Sequence, residues 1–344
     1  MKVVHIIFSL ETGGAETMLV DIVNEQTKTD SVSLIIVNNK INEDVLSNIS
    51  KNIKLYMIGR KRKNRNPIPL IKLNLLLLKL KPDYIHCHNY NMIDLIFAKK
   101  LLKYRIGLTV HDIGKSTKYH HGYGKIFAIS QAVQKDIKSR CEFDSIIVNN
   151  GINFKKIKNQ RNIESKIFKI IQVSRLEHEK KGQDILIKAL AILINKRKVK
   201  NIKLDFIGEG QSHQYLKTLV IEYKLESFVN FLGLKSRDYI YQNLCNYNLF
   251  VQPSLYEGFG LTVVEAIAAK ISVLVSDIHG PMEIIERGKY GFYFESENEV
   301  DCADKIDKAI KCKNYDIIDS AYEHALYYYS IESTASKYLK EYNN

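Results

Sequence analysis

Two glutamates, Glu257 and Glu265, stand with seven residues between them in the stretch PSLYEGFGLTVVEAIAAK, Gly258 and Gly260 among the seven. The glycines let the backbone come close to a ligand, because no side chain intervenes. A helical run over 261–269 follows Gly260. Its amino end would present N–H groups and a positive dipole end, which suits a phosphate. Carboxylates are poor partners for phosphate, so Glu257 and Glu265 are better matched to hydroxyl groups. An anion site flanked by two hydroxyl-binding carboxylates fits a diphosphate between two polyhydroxyl groups, which describes a nucleotide sugar.

The surrounding elements place this stretch. Apolar runs at 248–251 and 271–275 read as strands, so the unit is strand, loop, helix, strand. In a parallel α/β sheet such a loop lies at the carboxyl edge, where ligands bind. The same rhythm recurs along the chain. Strands are expected at 3–8, 32–37, 53–58, 83–87, 106–110, 125–129 and 145–148, and again at 168–173, 203–207, 229–232 and 292–294. A polar, aperiodic segment over 153–166 reads as a linker. The expected organisation is an N-terminal domain over 1–155, a second domain over 156–325, and a C-terminal helix over 326–344 returning to the first.

Further candidates sit at strand-to-helix junctions. Gly13 and Gly14 follow the first strand. Arg175, Lys180, Lys181 and Gly182 follow the strand at 168–173 as a basic loop before a helix from 183. Arg can grip phosphate as a fork and Lys as a mobile point charge. Gly208 and Gly210 follow another strand, but His213 stands where a dinucleotide fingerprint needs its third glycine. His86 and His88 face one side of a strand; a metal would need a third ligand, and the sequence offers no evident one. His111 and Asp112 close the strand at 106–110, a position suited to a site. His120 and His121 lie in a polar loop.

Bulk composition narrows the class. The 344 residues carry 45% hydrophobic residues and five scattered cysteines without a CxxC, which argues against a disulfide framework or zinc site and fits a reducing cytoplasm. The N-terminus lacks signal-peptide character, and no window is long and apolar enough to span a membrane. The net charge of +13 suits anionic partners, although lysines are spread along the whole chain. Charge is denser at Lys61, Arg62, Lys63 and Arg65, just before a leucine-rich helix over 67–80. Basic residues beside apolar ones suit the surface of an acidic membrane. The competing reading is a core helix behind a solvated loop. The tyrosines of the helical tail over 301–342 read as packing residues.

Taken together, EGFGLTVVEA, SRLEHEKKG, GGAE, TVHD at 109–112 and NGIN at 150–153 resemble the retaining glycosyltransferases of family 4, over nearly the whole chain. The resemblance implies a GT-B fold, two Rossmann-like α/β domains with parallel sheets facing across a deep interdomain cleft. It implies that Glu257 holds hydroxyls of the donor sugar, and that Gly258, Phe259, Gly260 and Leu261 border the sugar and diphosphate with backbone N–H groups. Glu265 would hold the ribose, and Arg175 and Lys181 the diphosphate; Lys180 could substitute for Lys181. Gly208, Leu232 and Gly233 would line the nucleotide, Gly13 and Gly14 the diphosphate or acceptor, and His111 the reacting sugar. His111, Glu257, Arg175 and Lys181 would then serve catalysis.

Departure of a nucleoside diphosphate builds negative charge. No Asp-x-Asp pair is present to hold a metal against it, so Arg175, Lys181 and the helix end would do so by fixed electrostatics, without metal or other cofactor. The reaction implied by the resemblance moves a UDP-linked hexose or N-acetylhexosamine to a glycan or polyprenyl-diphosphate-linked acceptor. The implied setting is O-antigen, capsule or lipopolysaccharide assembly at the inner face of the plasma membrane. The alternatives are a nucleotide-sugar epimerase or phosphorylase on the same fold, or a basic nucleic-acid-binding protein. Diffuse charge without a recognition motif argues against nucleic acid.

Overall fold

In the computed structural model the described residues are all but 12, 62–65, 98, 100–104, 142, 160–165 and 313–314. The chain divides into two compact units, Met1–Ile152 with Tyr329–Asn344, and Asn153–Tyr328. Each is a parallel sheet with helices, and each has the reversed strand order of a Rossmann-like fold.

The first unit contains β1 (Lys2–Ile7), β2 (Ser31–Asn38), β3 (Lys54–Arg60), β4 (Tyr84–Cys87), β5 (Ile106–Val110), β6 (Lys125–Ala128) and β7 (Ile146–Ile147), ordered β3-β2-β1-β4-β5-β6-β7. The central strands are apolar on both faces, as a helix-covered parallel sheet requires. The order reverses between β1 and β4, which pair with His5 opposite His86. That reversal marks the place where ligands bind in such sheets.

NGIN serves as a clasp in this unit. Ile152 pairs with Ser330, and Thr334 Oγ1 donates to Asn149 C=O at 2.8 Å. A Cβ on Gly151 would lie 2.5 Å from Ser330 C=O. Helix Ile331–Asn343 is thereby seated on the unit and buries Tyr338 and Tyr342. Tyr342 stacks on Tyr84 with 4.3 Å between centroids, and Tyr338 meets Phe127 edge-on at 5.1 Å. These two tyrosines are packing residues; Tyr327 and Tyr328 are exposed. The tail is three helices, Glu299–Lys311, Tyr315–Tyr329 and Ile331–Asn343, with Ser330 capping the last through Ser333 N–H.

Helix Ile68–Leu80 follows the basic cluster, of which Arg62, Lys63 and Arg65 lie outside the described residues. It is neither a core helix nor wholly exposed. Leu73 and Leu77 are buried, whereas Ile68, Ile71, Leu75 and Leu78 are 66%, 46%, 62% and 66% exposed. The nearly continuous leucines hid this division. Positions i, i+3, i+7 and i+10 form one stripe on a helix.

The second unit contains β8 (Phe168–Val173), β9 (Ile202–Ile207), β10 (Val229–Phe231), β11 (Leu249–Gln252), β12 (Ser272–Ser276) and β13 (Phe292–Phe294), ordered β10-β9-β8-β11-β12-β13. Its core joins β8, β9 and β11 to helices Gln183–Ala191 and Glu299–Lys311. Here the order reverses between β8 and β11. The loops leaving those two strands are SRLEHEKKG and PSLYEGFG. No helix among the described residues is long and apolar enough to cross a membrane.

Candidate functional site

The two loops of the second unit are joined by backbone as well as by topology. Leu255 N–H donates to Lys180 C=O at 3.0 Å. Gly182 adopts φ +63°, and a Cβ there would lie 1.9 Å from Pro253 C=O. Only glycine fits, so Gly182 seats the basic segment against the glutamate loop. The basic segment is not an open loop. His178–Lys181 forms one helical turn, which fixes the direction of Lys181.

Lys181 Nζ makes an ion pair and hydrogen bond with Glu257 Oε2, both side chains being largely buried. Gln252 Nε2 donates to the same carboxylate oxygen at 3.2 Å, and Thr262 Oγ1 donates to Gln252 Oε1 at 3.0 Å. Gln172, at the end of β8, donates to Lys181 C=O at 2.9 Å. Lys180 instead lies over the Tyr256 ring at 5.9 Å. Of the two adjacent lysines, Lys181 is therefore the one directed at Glu257. Arg175 is exposed and lies 3.5 Å from Glu177; its backbone C=O accepts from Gln183 Nε2 at 2.8 Å.

Gly260 caps helix Leu261–Ala268 with φ +113°, a left-handed conformation that suits glycine. Phe259 is buried in the loop before it. Gly280 packs under this loop: its Cβ would lie 2.7 Å from Glu257 C=O. Glu265, on the helix, is buried to 9% exposure. It accepts from Tyr241 OH at 3.3 Å and faces Arg237 Nε at 3.9 Å. Arg237 in turn lies over the Tyr241 ring at 4.9 Å. Thus Glu257 is coupled to a lysine, and Glu265 to a tyrosine–arginine pair.

The nucleotide-lining candidates gather at the neighbouring strand ends. Gly208 has φ +135° and approaches Ser174 C=O so closely that a Cβ would lie 2.0 Å away. Its N–H donates to Gly233 C=O at 3.0 Å, and Leu232 N–H donates to Phe206 C=O at 2.9 Å. These bonds hold Gly208, Leu232 and Gly233 beside the segment that bears Arg175.

In the first unit, Gly13 precedes helix Gly14–Gln26. Gly13 is extended, at φ −170°, so its conformation does not itself demand glycine. Burial raises the carboxyl pKa of Glu16 within the same GGAE motif.

His111 ends β5 as part of a stack of four histidines. His5 Nδ1 lies 3.0 Å from His88 Nε2, and His88 Nδ1 lies 3.2 Å from His111 Nε2. His86 contacts the Tyr342 hydroxyl through Nδ1 and Thr109 Oγ1 at 2.7 Å through Nε2. Burial lowers His5 and His111 to about 4, opposed by the Gln26 bond at His5 and the Asp112 charge at His111. His86 and His88 are held well below the usual range by burial and then by neighbouring histidines. All four are neutral at pH 7. His86 and His88 have the third candidate ligand that the sequence did not make evident. His5 joins them, with ligand atoms of the three within 4.8 Å of one another. Parallel register across β1 and β4 produces that meeting, and nothing local to either segment announces it. The rings of His86 and His88 stack, with 27° between their planes.

Sequence reasoning also missed Gln172, Gln252, Tyr241 and Arg237. Gln252 carried a usable signal, being an amide at the end of an otherwise apolar strand; the other three carried none.

Comparison with known proteins follows the same division. A family model described as glycosyl transferases group 1 matches residues 153–324, and one described as glycosyltransferase family 4 matches residues 12–156. The poly(ribitol-phosphate) alpha-N-acetylglucosaminyltransferase of Staphylococcus aureus is 29% identical over 227 residues, covering 64% of this chain and 44% of that protein. Protein CapJ of the same species is 28% identical over 176 residues, covering 48% of this chain and 43% of that protein. The chain thus spans less than half the length of these curated relatives. Among solved structures, Anabaena HepE in complex with UDP and glucose superposes with a TM-score of 0.80 at 20% identity, covering 99% of this chain and 98% of that one. The lipopolysaccharide outer core galactosyltransferase WaaB gives 0.76 at 22% identity, covering 100% and 98%. At such identities these likenesses establish the fold, which is GT-B.

Proposed function

The chain belongs to the group 1 glycosyltransferases, family 4, and from that premise we propose that it moves a hexose or N-acetylhexosamine from a UDP-sugar to a glycan or polyprenyl-diphosphate-linked acceptor, with retention of configuration. The observation that carries this reading is the Lys181–Glu257 pair at the β8/β11 reversal. A cation suited to phosphate and a carboxylate suited to sugar hydroxyls meet there at one point. On binding, Lys181 exchanges its carboxylate partner for diphosphate oxygen, and Glu257 turns to the sugar. Lys181, Arg175 and the amino end of helix Leu261–Ala268 offset the charge of the departing diphosphate, so the transfer needs no metal. The relatives' names supply the setting: HepE was solved with UDP and glucose, and WaaB is a lipopolysaccharide galactosyltransferase. Assembly of a bacterial surface polysaccharide, O-antigen or capsule, is the role we assign.

The acceptor side is read from helix Ile68–Leu80. Its exposed stripe of Ile68, Ile71, Leu75 and Leu78 lies beside exposed Lys72 and Lys79. An apolar stripe flanked by cations suits the inner face of an anionic bilayer, where a polyprenyl-linked glycan would be met. Vesicles rich in anionic lipid are expected to sediment the protein. Leu75→Ser with Leu78→Ser should abolish this without altering donor binding; unchanged sedimentation would remove the membrane assignment.

A thermal-shift panel of UDP-, GDP- and dTDP-sugars tests the donor. UDP-sugars should raise the melting temperature equally with and without EDTA. Stabilisation by none of the three classes would overturn the reading, and loss of stabilisation with EDTA would overturn metal independence.

A further inference from the structure

The histidine stack of the first unit is a continuous hydrogen-bonded chain with a defined sense. It begins at Gln26, whose Oε1 faces His5 Nε2 at 2.8 Å. An amide oxygen only accepts, so His5 carries its proton on Nε2 and has a bare Nδ1. That lone pair accepts from His88 Nε2–H at 3.0 Å. His88 therefore has a bare Nδ1, which accepts from His111 Nε2–H at 3.2 Å. His111 is left with a bare Nδ1. That atom is out of contact with solvent and has no partner, and the same holds for Gln26 Nε2 at the other end of the chain.

Each neutral imidazole has one donor and one acceptor, so the links cannot reverse singly. The chain has two self-consistent senses, set by which end of the Gln26 amide meets His5. The structure turns Oε1 of that amide to His5, which selects the sense that leaves a lone pair at His111 Nδ1. The neighbouring Asp112 carboxylate accepts from Ile113 N–H at 3.0 Å and lies 3.6 Å from Lys115. The chain is insulated as well. His5 and His88 are buried, and their rings stack at 5.4 Å with 25° between planes. His86 sits against them at 4.4 Å from His88, with its own two nitrogens committed to Tyr342 and Thr109.

We propose that Gln26, His5 and His88 are positioning residues that lock His111 as its uncharged Nε2–H tautomer, so that Nδ1 is a lone-pair acceptor for a sugar hydroxyl. The identity of that hydroxyl rests on the transferase reading above; the lock itself does not. A buried polar atom without a partner calls for an explanation, and an incoming hydroxyl supplies one. In this state His111 accepts a hydrogen bond and orients the sugar. It neither carries positive charge toward the diphosphate nor donates a proton.

Long-range ¹H–¹⁵N correlation spectra of the full chain, labelled at histidine, identify the protonated nitrogen of each ring. His5, His88 and His111 are expected to be Nε2–H at neutral pH. Gln26→Met removes the acceptor that sets the sense, so His111 should become a mixture of tautomers. Donor turnover should then fall in kcat by roughly tenfold with KM unchanged, far short of the ~10⁴-fold loss when an obligate histidine base takes the wrong tautomer. Gln26→Glu, whose carboxylate still accepts from His5, should restore the single tautomer. A wild-type His111 bearing Nδ1–H would overturn the lock, and that spectrum needs no variant to fold. A His111 that stays wholly Nε2–H in Gln26→Met would also overturn it. A mixed tautomer with unchanged kcat would remove its catalytic role. The expected tautomers with no nucleotide sugar consumed would uphold the lock and refute the transferase reading instead.

Discussion

Lys181→Ala is expected to lower nucleotide-sugar turnover by about 10²–10³-fold, the usual cost of deleting one preorganised group at developing charge. The loss should appear mainly in kcat. Negative charge on the leaving diphosphate grows as the glycosidic bond breaks, so the lysine contributes most in the transition state. Its position supports so large an effect. Lys181 is largely buried, its helical turn is fixed by Gly182 against Pro253, and its partner Glu257 is itself held by Gln252. Lys180→Ala is the control. That side chain lies over Tyr256 rather than at Glu257 and should alter kcat by less than about threefold, a change worth well under 1 kcal/mol. Steady-state kinetics on the two variants decide the matter. Equal losses, or a larger loss for Lys180, would reassign the phosphate grip.

Glu265→Ala should instead act on binding. The carboxylate accepts from Tyr241 OH and faces Arg237, deep in the unit. A ribose hydroxyl would add one further hydrogen bond to a charged acceptor. Hydrogen bonds to charged groups contribute about 1.5–3 kcal/mol, so donor KM should rise roughly 10–100-fold with kcat changed only a few-fold. Glu265→Gln should fall between, since an amide oxygen still accepts but without charge. The protein should also melt earlier in the alanine variant, because Arg237 then keeps its charge in a half-buried place without the carboxylate. A fall in kcat with unchanged KM would place Glu265 in the chemistry and contradict this assignment.

Much of this was legible because parallel α/β units write themselves locally. Apolar β-branched runs gave the strands, and glycine with a following helix gave the turns. Lys181 and Glu257 were legible as two separate motifs at two strand ends, and their direct pairing, produced by the β8/β11 reversal, was not. What stayed hidden depends on contacts distant in sequence. His5 lies more than 80 residues from His86, and only the β1/β4 register makes them neighbours. Tyr241 and Arg237 belong to a helix with no motif, yet they frame Glu265. NGIN resembled a family signature without revealing that its task is to clasp the returning C-terminal helix. The inward and outward faces of helix Ile68–Leu80 could not be separated while leucine occupied both.

The central claim is acceptor-dependent transfer from a nucleotide sugar, and a proton NMR time course of the protein with UDP-sugar tests it most directly. With the donor alone, the sugar signals should persist almost unchanged. Adding a lipid-linked glycan acceptor should release UDP in step with a new anomeric signal of the donor's configuration. Conversion of the UDP-sugar to its epimer without acceptor, or no consumption with any acceptor, would contradict the account.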